Sequence, residues 1–334
     1  MGSKPRSSQV LRCSIVIRAY NEERHIGRLL AGILRQTVRQ VEIILVDSGS
    51  TDATLAIASR YPVLISRIEP DEFTFGRSLN LGCGRAKADL IVIASAHVFP
   101  VYPDWLERLI APFEDPRIGL AYGQQRGEAG SRYSERQQLA KMFPDHSVSR
   151  QGHPLCNNAN AAIRRELWER RPYDETLSGL EDLEWATWMM QQGFDIAYVA
   201  EAEVVHVHQE NPRQLYNRYK REAMALHRVQ PWQAFHSWDF ARLYLSNALS
   251  DCWHALREGQ GLGTLADILM FRLIQFWGTY TGFRHRGPVT RKLMEAFYYP
   301  RGFRAPSPPQ VDDMKAIDYS SLANGPGPGE GAGS

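Results

Sequence analysis

The feature that most constrains this chain is a regular alternation of short apolar runs and helical stripes over residues 11–97. The runs "CSIVI" at 13–17 and "VEIILV" at 41–46 are rich in β-branched residues, which is typical of buried strands. Between them, "NEERHIGRLLAGILRQ" carries apolar residues at the spacing of one helix face. A strand, a helix and a second strand in this order predict a parallel pair with a right-handed crossover. Because the alternation continues through "PVLISRI" and "LIVIA", the sequence predicts a doubly wound α/β sheet.

Polar residues are expected at the edge of this sheet where a ligand would bind. In open α/β sheets, ligands bind beyond the carboxyl ends of the strands. The candidate residues that follow the first, second and fourth predicted strands are Ala19, Tyr20, Glu22, Asp47, Ser50, Ser95 and His97. The first strand–helix turn has no GxGxxG sequence, so the crevice suits a mononucleotide rather than a dinucleotide. Asp47 and Ser50 have a second interpretation, as simple caps of the helix that follows them.

Charge and cysteine content narrow the class of protein. The formal net charge is +2 and no extended run of lysine or arginine occurs, so no nucleic-acid partner is predicted. The 4 cysteines lie far apart without a CxxC pair, which indicates reduced thiols in a cytosolic protein rather than a disulfide framework or a zinc site. The polar start "MGSKPRSSQVLR" lacks the apolar core of a signal peptide. No uninterrupted run of about 18 apolar residues predicts a membrane span.

Three separated segments carry a resemblance to a known family. The first segment, "SIVIRAYNEERHIGRLLAGILRQ" with "EIILVDSGSTDATLAIA", resembles the amino-terminal half of the family 2 glycosyltransferases, which adopt the GT-A fold. The second, "FTFGRSLNLGCGRAKADLIVIASAHVFPVYPDWLERLIAPF", is similar to the donor-site segment of members that build bacterial surface polysaccharides, including rhamnosyltransferase-like ones. The third, "NNANAAIRRELWERRPYDETLSGLEDLEWATWMMQQGFDIAYVAEAEVVHVH", is similar to their acceptor and base segment. The resemblance spans roughly residues 11–225 and departs at one place, where the DxD motif of the family reads Ser95-Ala96-His97.

The resemblance implies a nucleotide site at the ends of the first strands. Ala19, Tyr20 and Glu22 would line the base and the ribose. Asp47 would accept a hydrogen bond from the base, and Arg77, in "GRSLN", would reach the nucleotide or its phosphates. The implied donor is a nucleoside-diphosphate sugar, and the implied acceptor is a glycan or a lipid-linked molecule.

The resemblance also implies a catalytic acidic pair, Glu181 and Asp182 in "GLEDLEW", with Asp182 as the base. The chemistry requires such a group independently, because an acceptor hydroxyl that attacks an anomeric carbon needs a carboxylate within hydrogen-bonding reach. Adjacent residues on a helix point in different directions, so one acid can face the acceptor while the other fixes the loop. The alternative interpretation is that both acids only complement the dipole at the start of a helix.

The missing DxD acids raise the question of whether a metal is used. Mg²⁺ prefers oxygen ligands, whereas Mn²⁺ could bind through His97, His206 and the diphosphate, because imidazole suits transition metals. His206 lies where some GT-A enzymes have a further metal ligand. Alternatively, His97 touches the diphosphate directly, assisted by basic residues of the helix that follows; these are Arg218, Lys220 and Arg221. The sequence favours this second arrangement, so turnover is expected to survive chelation by EDTA and to fall in His97→Ala.

The composition changes after residue 212 and divides the chain into parts. The predicted parts are a disordered N-terminus (1–10), a GT-A domain (11–212) with a nucleotide-binding half (11–100) and an acceptor half (101–212), a helical region (213–303) and a disordered tail (304–334) rich in Pro, Gly and Ser. The helical region is basic at first and then rich in Leu, Ile, Phe and Trp. Its apolar helices either pack on the catalytic domain or form a homodimer, or they lie in a membrane interface, which a lipid-linked acceptor would favour.

The predicted function is inverting transfer of a sugar from a nucleoside-diphosphate sugar to an acceptor hydroxyl, in polysaccharide or glycolipid assembly. We expect it in the cytoplasm, either free or at the cytoplasmic membrane face. The competing class is a non-catalytic sugar-nucleotide-binding or scaffold subunit with a degenerate metal site. The intact acids Glu181 and Asp182 favour the enzyme, because a degenerate protein has little reason to keep them.

Overall fold

The first part of the chain folds into a parallel half-sheet, as the alternation of the sequence predicts. Its elements are β1 (Cys13–Ala19), α1 (Ile26–Leu34), β2 (Val41–Asp47), α2 (Thr54–Ala58), β3 (Val63–Arg67), α3 (Phe75–Cys83) and β4 (Leu90–Ser95). β1 pairs in parallel with both β2 and β4, and β3 pairs in parallel with β2. The computed structural model describes residues 11–298, so the disorder expected for 1–10 and 304–334 lies outside the described residues.

The second part of the chain extends the same sheet with strands of both directions. Its elements are β5 (Val98–Pro100), α4 (Trp105–Ile110), β6 (Ile118–Arg126), α5 (Tyr133–Met142), β7 (Val148–Gln151), β8 (Asn160–Arg164), α6 (Arg165–Arg170), α7 (Glu181–Gln191) and β9 (Asp195–His206). The strand order is β3-β2-β1-β4-β8-β6-β9-β5, with β7 also paired to β9. β8 is antiparallel to β4 and β6, and β9 is parallel to β6 but antiparallel to β5 and β7. Strands β1 to β4, β6 and β9 therefore share one direction, which confirms the predicted mostly parallel sheet.

Apolar side chains cover both faces of the sheet, which explains why its central strands are continuous apolar runs. Ile15 and Ile17 of β1 pack in one buried cluster with α1, whereas Val16 packs in a second cluster with α3 on the opposite face. Gly82 of α3 shows how close this second contact is, because a Cβ there would lie 2.4 Å from Val16 Cγ1. The absence of a side chain at Gly82 thus permits close packing of α3 on the sheet.

Four helices complete the described chain. They are α8 (Pro212–Val229), α9 (Ser237–Arg257), α10 (Leu262–Phe283) and α11 (Arg291–Tyr298). α8 begins at a capping box, in which Asn211 Oδ1 accepts from the Gln214 N–H and the Gln214 side chain accepts from the Asn211 N–H. α10 lies close against α8, since Cβ atoms at Gly278 and Gly282 would fall 2.8 and 2.5 Å from backbone oxygens of α8.

A buried ion pair ties α9 to α10. The Arg272 guanidinium donates to Asp251 Oδ2 from Nε at 2.8 Å, and it also donates to Ser134 O of α5 at 3.2 Å. Arg272 and Asp251 are both buried, and a buried charge that lost its partner would be costly. One face of the helical region therefore packs on the α/β part of the chain, which is one of the alternatives that the sequence left open. Within residues 11–298, no helix is both long and apolar enough to cross a membrane.

Candidate functional site

A cavity of about 620 Å³ opens at the carboxyl edge of the sheet. Its wall comes from the loops after β1 and β2, from the segments that follow β4 and β9, and from helices α8 and α11. Several residues that the sequence predicts to bind the donor line this cavity; they are Tyr20, Glu22, His97, Arg218 and Arg221. Its volume is in the range of small-molecule sites, and its position is where open α/β sheets bind ligands.

The loops after β1 and β2 are held together by hydrogen bonds at the rim of the cavity. Asn21 has a left-handed backbone conformation, with φ 54°, which asparagine adopts more readily than most residues. Its N–H donates to Ser50 Oγ at 2.9 Å, and the Thr51 N–H donates to Asn21 Oδ1 at 2.8 Å. Ser50 therefore fixes the shape of the rim, while Asn21 and Thr51 line the cavity itself.

Asp47 uses one carboxylate oxygen for its own loop. Oδ2 accepts the N–H groups of Gly49 and Ser50, both at 3.0 Å. Gly49 has φ 88°, a left-handed conformation that favours glycine. Oδ1 is buried and has no hydrogen-bond partner among the described residues. The interpretation of Asp47 as a cap of its own loop thus accounts for Oδ2. Oδ1 is available to accept a hydrogen bond from a nucleotide base, and this contact stays a prediction.

The acidic pair lies at the start of α7, and the two carboxylates have different partners. Asp182 Oδ2 accepts the Asn158 N–H at 3.1 Å, and Oδ1 accepts the N–H of the next residue at 2.8 Å. Glu181 is 4% exposed, and its Oε1 lies 3.5 Å from a guanidinium nitrogen of Arg18. Leu180, directly before the pair, has φ 57°, a left-handed conformation that is rare for a bulky residue and of a kind that clusters at functional sites.

The pKa of Asp182 distinguishes the two interpretations of the pair. Burial, followed by the adjacent negative charge of Glu181, raises the pKa of Asp182 to about 7. The two backbone N–H groups and Arg18 act in the opposite direction with smaller effect. Acids that only complement a helix dipole would be stabilised in their ionised form, which is the reverse of this shift. A carboxylate that titrates near neutrality is suited to take a proton.

Arg18 is a candidate functional residue that the sequence interpretation did not assign. Its guanidinium lies 4.5 Å from the ring centre of Phe75, and Arg221 of α8 lies 4.7 Å from the centre of the same ring. Because Arg18 also contacts Glu181, these residues link the acidic pair to the wall of the cavity. The position of Arg18 directly before Ala19 at the end of β1 is the signal from which it could have been predicted.

Three imidazoles converge beside the cavity: His97 after β4, His206 at the end of β9, and His208 two residues later. One ring nitrogen of each lies within 4.8 Å of the other two. The Nδ1 atom of each ring has an acceptor; these are Glu22 Oε1 at 2.7 Å from His97, Gln125 Oε1 at 2.6 Å from His206, and Glu135 Oε1 at 2.6 Å from His208. The sequence interpretation missed His208, although alternate residues of an extended segment such as "VHVH" point to the same side.

Burial and neighbouring charges shift the pKa values of His97 and His206 in opposite directions. Burial, with the charges of His208 and His97, holds the pKa of His206 well below its usual range. Burial also acts to lower the pKa of His97, but the charge and the hydrogen bond of Glu22, together with the charge of Glu210, outweigh it, so the pKa of His97 is raised. The cluster therefore combines a ring that stays neutral with one that can carry charge.

The remaining predicted contacts have other partners in the structure. Arg218 lies 2.8 Å from Glu210 Oε2, and Lys220 lies over the Tyr216 ring and does not line the cavity. Arg77 pairs with Glu72 at 3.1 Å and is likewise not part of the cavity wall. Their contacts to a donor stay predictions that would need movement of these side chains.

Another cavity, of about 710 Å³, lies elsewhere, between β7, β9 and the segment after α4. Its charged residues already have partners, because Arg150 pairs with Asp115 at 2.5 Å and Arg108 pairs with Asp104 at 2.6 Å. It holds none of the predicted site residues. The cavity at the strand ends is therefore the candidate active site.

Residues 14–171 match the model of the family described as Glycosyl transferase family 2. Among curated proteins, the chain is 28% identical over 235 residues to the O-antigen chain rhamnosyltransferase RfbN of Salmonella typhimurium, which covers 66% of this chain and 74% of that protein. It is 29% identical over 209 residues to the O-antigen chain rhamnosyltransferase WbaN of Salmonella anatum, covering 59% of this chain and 66% of that protein. The resemblance seen in the three sequence segments is thereby confirmed.

A solved structure confirms the predicted fold class. The mannosyltransferase PcManGT from Pyrobaculum calidifontis, in complex with GDP-Man and Mn²⁺, superimposes with a TM-score of 0.54 at 20% sequence identity. The similarity covers 83% of this chain and 85% of that chain. The fold is therefore the α/β GT-A fold with a C-terminal helical extension.

Proposed function

We propose that this protein is an inverting glycosyltransferase that moves a sugar from a nucleoside-diphosphate sugar to an acceptor hydroxyl. The observation that carries the proposal is the setting of Asp182, whose carboxylate is fixed by two backbone N–H groups and whose pKa is raised to about 7. The family 2 domain and the cavity at the strand ends support it. A scaffold subunit has no need for a carboxylate tuned in this way.

In the proposed reaction, Asp182 accepts the proton of the acceptor hydroxyl as the hydroxyl oxygen attacks the anomeric carbon. The bond from that carbon to the diphosphate oxygen breaks, and the nucleoside diphosphate leaves with the electron pair. Attack from the side opposite to the leaving group inverts the anomeric configuration. Positive charge near the leaving diphosphate stabilises the transition state. Arg221 can supply it, because it lines the cavity and its Nε has no hydrogen-bond partner among the described residues.

The relatives suggest the class of donor. Two curated relatives are rhamnosyltransferases, and the similar solved structure contains GDP-Man and Mn²⁺. We therefore propose a deoxyhexosyl or hexosyl donor, with a rhamnosyl nucleotide as the first candidate, and polysaccharide or glycolipid assembly as the process. A divalent cation is compatible with this donor class. Mg²⁺ would bind poorly at this edge of the sheet, because the edge offers imidazole nitrogens and Mg²⁺ prefers oxygen ligands.

A donor-binding and product assay tests the proposal. Nucleoside diphosphates and their sugars are screened by thermal shift, since a ligand at 100 times its Kd stabilises by about 2.7 kcal/mol. The best donor is then incubated with candidate acceptors, and the anomeric configuration of the product is read by NMR. We expect inversion. A product with retained configuration would reject the mechanism, and donor binding with no transfer to any acceptor would favour the scaffold subunit.

The outer face of helices α9 and α10 suggests where the acceptor is found. This face exposes large apolar side chains; Trp238 is 73% exposed, Trp253 52% and Trp277 48%, and Leu245, Leu249, Leu256, Leu269, Met270 and Leu273 are exposed beside them. Such an area is uncommon on soluble monomers and indicates an interaction surface.

We propose that this face contacts the membrane surface, where a lipid-linked acceptor would be presented. Two features support a lipid rather than a second copy of the chain. Tryptophans are favoured at membrane interfaces, where one end of the ring is apolar and the other is hydrated. Exposed arginines accompany them, and Arg257 lies 4.6 Å from the ring centre of Trp253. Guanidinium groups beside an apolar face favour anionic headgroups.

A further inference from the structure

We propose that His97, His206 and His208 form a binding site for a divalent transition-metal ion, with three imidazole nitrogens as its protein ligands. The site occupies the strand end where the DxD acids of the family are absent. The affinity of these side chains for a metal can be measured without any sugar nucleotide.

The arrangement of the rings suits one shared ion. The ring centres of His206 and His208 lie 4.1 Å apart, those of His97 and His206 5.0 Å, and those of His97 and His208 5.5 Å. One nitrogen of each ring lies within 4.8 Å of the others. Metal–imidazole bonds of about 2.0–2.1 Å place tetrahedral ligand atoms about 3.4 Å apart. Small rotations of the rings would therefore bring the three nitrogens onto one ion.

The hydrogen bonds of the three rings involve Nδ1, which leaves Nε2 of each ring to coordinate a metal. Each Nδ1 faces an oxygen acceptor, so we assign the proton to Nδ1 and the free lone pair to Nε2. Metal-binding histidines usually donate their second ring N–H to a carboxylate or carbonyl in this way, which fixes the ring and strengthens the ligand. Here Glu22 and Glu135 provide carboxylates, and Gln125 provides an amide oxygen.

A buried nitrogen without a partner points independently to a ligand. His206 Nε2 is buried and makes no hydrogen bond to any described residue. Leaving such a group unpaired is costly, and in native proteins it indicates an absent water, ion or ligand. His97 Nε2 lies 3.1 Å from Ser95 Oγ, a hydroxyl that can rotate away without loss of the hydrogen bond between His97 Nδ1 and Glu22.

The donor set selects the kind of metal. Three imidazoles without a carboxylate ligand suit Zn²⁺, Co²⁺ or Ni²⁺, whereas Mg²⁺ and Mn²⁺ prefer oxygen ligands. The sequence interpretation counted two imidazoles and no nearby acid, and therefore expected turnover to survive chelation. The structure adds His208 and places Glu22 and Glu135 directly behind the rings. These carboxylates provide the negative charge that would attract a dication.

The position of the site connects it with the reaction. His97 and His208 line the cavity, so free coordination positions would face its interior. If the function proposed above holds, oxygens of the donor diphosphate would take these positions. The bound metal would then supply positive charge to the leaving group, as a Lewis acid does.

Metal titration of the full-length protein without a polyhistidine tag tests the site. The protein is treated with chelator, dialysed and titrated with Co²⁺ by visible absorption and with Zn²⁺ by calorimetry. We expect one equivalent of either metal and no competition by Mg²⁺ at the same concentration. His208→Ala and His97→Ala should weaken binding by at least about 100-fold, and Glu22→Gln, which keeps the shape of the side chain, by about 10–100-fold. His254→Ala is the matched control, because this exposed histidine bonds to Ser250 O on α9.

Three outcomes would overturn the proposal. The first is absence of stoichiometric binding to a folded wild-type protein, and the second is binding that survives in both His208→Ala and His97→Ala. The third is binding of pyrophosphate to the metal-free protein that requires His97 and does not increase with Co²⁺, which would make the imidazole a direct phosphate contact. Circular dichroism and thermal melts of each variant exclude unfolding as the cause of lost binding. Because no sugar nucleotide is present, failure of the metal site and failure of the proposed transfer reaction give separate results.

Discussion

Arg18 places a guanidinium nitrogen 3.5 Å from Glu181 Oε1 and thereby joins the first strand of the sheet to the acidic pair at the start of α7. Both residues also act on Asp182, with opposite sign. The carboxylate of Glu181 raises the pKa of Asp182, and the guanidinium of Arg18 lowers it. The ionisation of the proposed base is thus controlled by two neighbours, and substitution of either should move its pKa in a known direction.

The pH dependence of the reaction should show this control. A base must be deprotonated to act, so kcat/KM should rise with pH through a midpoint near the raised pKa of Asp182, about 7. Glu181→Gln removes the like charge and should shift the midpoint to lower pH. Arg18→Gln removes the opposite charge and should shift it to higher pH. The measurement is a full pH–rate profile of the three proteins, and shifts of the same sign in both variants would contradict the assignment.

Substitution of the base itself should abolish most of the turnover. Asp182→Asn keeps the shape and the hydrogen bond from Asn158 but cannot take a proton, so kcat should fall by about 10²–10⁴-fold while donor affinity persists. Glu184→Gln is the control on the same helix, since Glu184 pairs with Arg171 and should not affect turnover by more than about two-fold. Unchanged kcat in Asp182→Asn would move the base elsewhere, with Glu181 as the first alternative.

Asp182 should also affect stability, with a sign that differs from that of a salt-bridged acid. In the unfolded chain its pKa is near the ordinary aspartate value of about 3.9, and in the folded protein it is raised to about 7. Between these values the folded state binds more protons than the unfolded state, so this group's contribution to stability is present at low pH and lost as pH rises to about 7. Asp182→Asn cannot ionise and so removes this pH dependence, although its one side-chain oxygen can accept only one of the two backbone N–H groups. The melting temperature of Asp182→Asn minus that of the wild type should therefore become more positive as pH rises from 4 to 8.

The parallel half-sheet, and the position of Glu181 and Asp182 at the start of a helix, could be predicted because each is encoded locally. β-branched runs and helical stripes determine the strands and helices between residues 11 and 97, and Glu181 and Asp182 are neighbours in a short motif. The pairing of β8 between β4 and β6 could not be predicted in the same way. Strand order in the second half depends on long-range contacts, which a local pattern does not contain.

Partners that are distant in sequence account for the features that the sequence interpretation missed. His208 becomes a site residue only because the end of β9 pairs with β5, where Val98 lies opposite His206, and this pairing brings His208 to His97. Arg18 and Glu181 are separated by most of the domain, and the raised pKa of Asp182 arises from burial, which no single motif reports. Residue types at strand ends thus indicated the region of the site, while its contacts required the fold.

Asp47 should contribute to nucleotide affinity through its unpaired oxygen. Asp47→Asn can keep an oxygen for the N–H groups of Gly49 and Ser50 but puts an amide in place of Oδ1. If Oδ1 accepts a hydrogen bond from the base, affinity for the donor and for the free nucleoside diphosphate should fall by about 10-fold or more. Calorimetry of both ligands measures this. Equal affinity in Asp47→Asn, together with weaker binding in Asp47→Ala, would show that Asp47 serves only its own loop.

The apolar face of α9 and α10 should bind vesicles. We expect the wild type to float with vesicles that contain anionic phosphatidylglycerol, and to float less with neutral vesicles or at high salt, because arginines contribute to the contact. Replacement of Trp238, Trp253 and Trp277 by serine should reduce flotation by at least about tenfold, since it removes large apolar surface. Leu64→Ser is the control, because Leu64 is also exposed but lies on β3. Light scattering measures the mass of each protein in parallel. A wild-type dimer that the triple variant converts to a monomer, without flotation of either protein, would identify this face as a dimer interface instead.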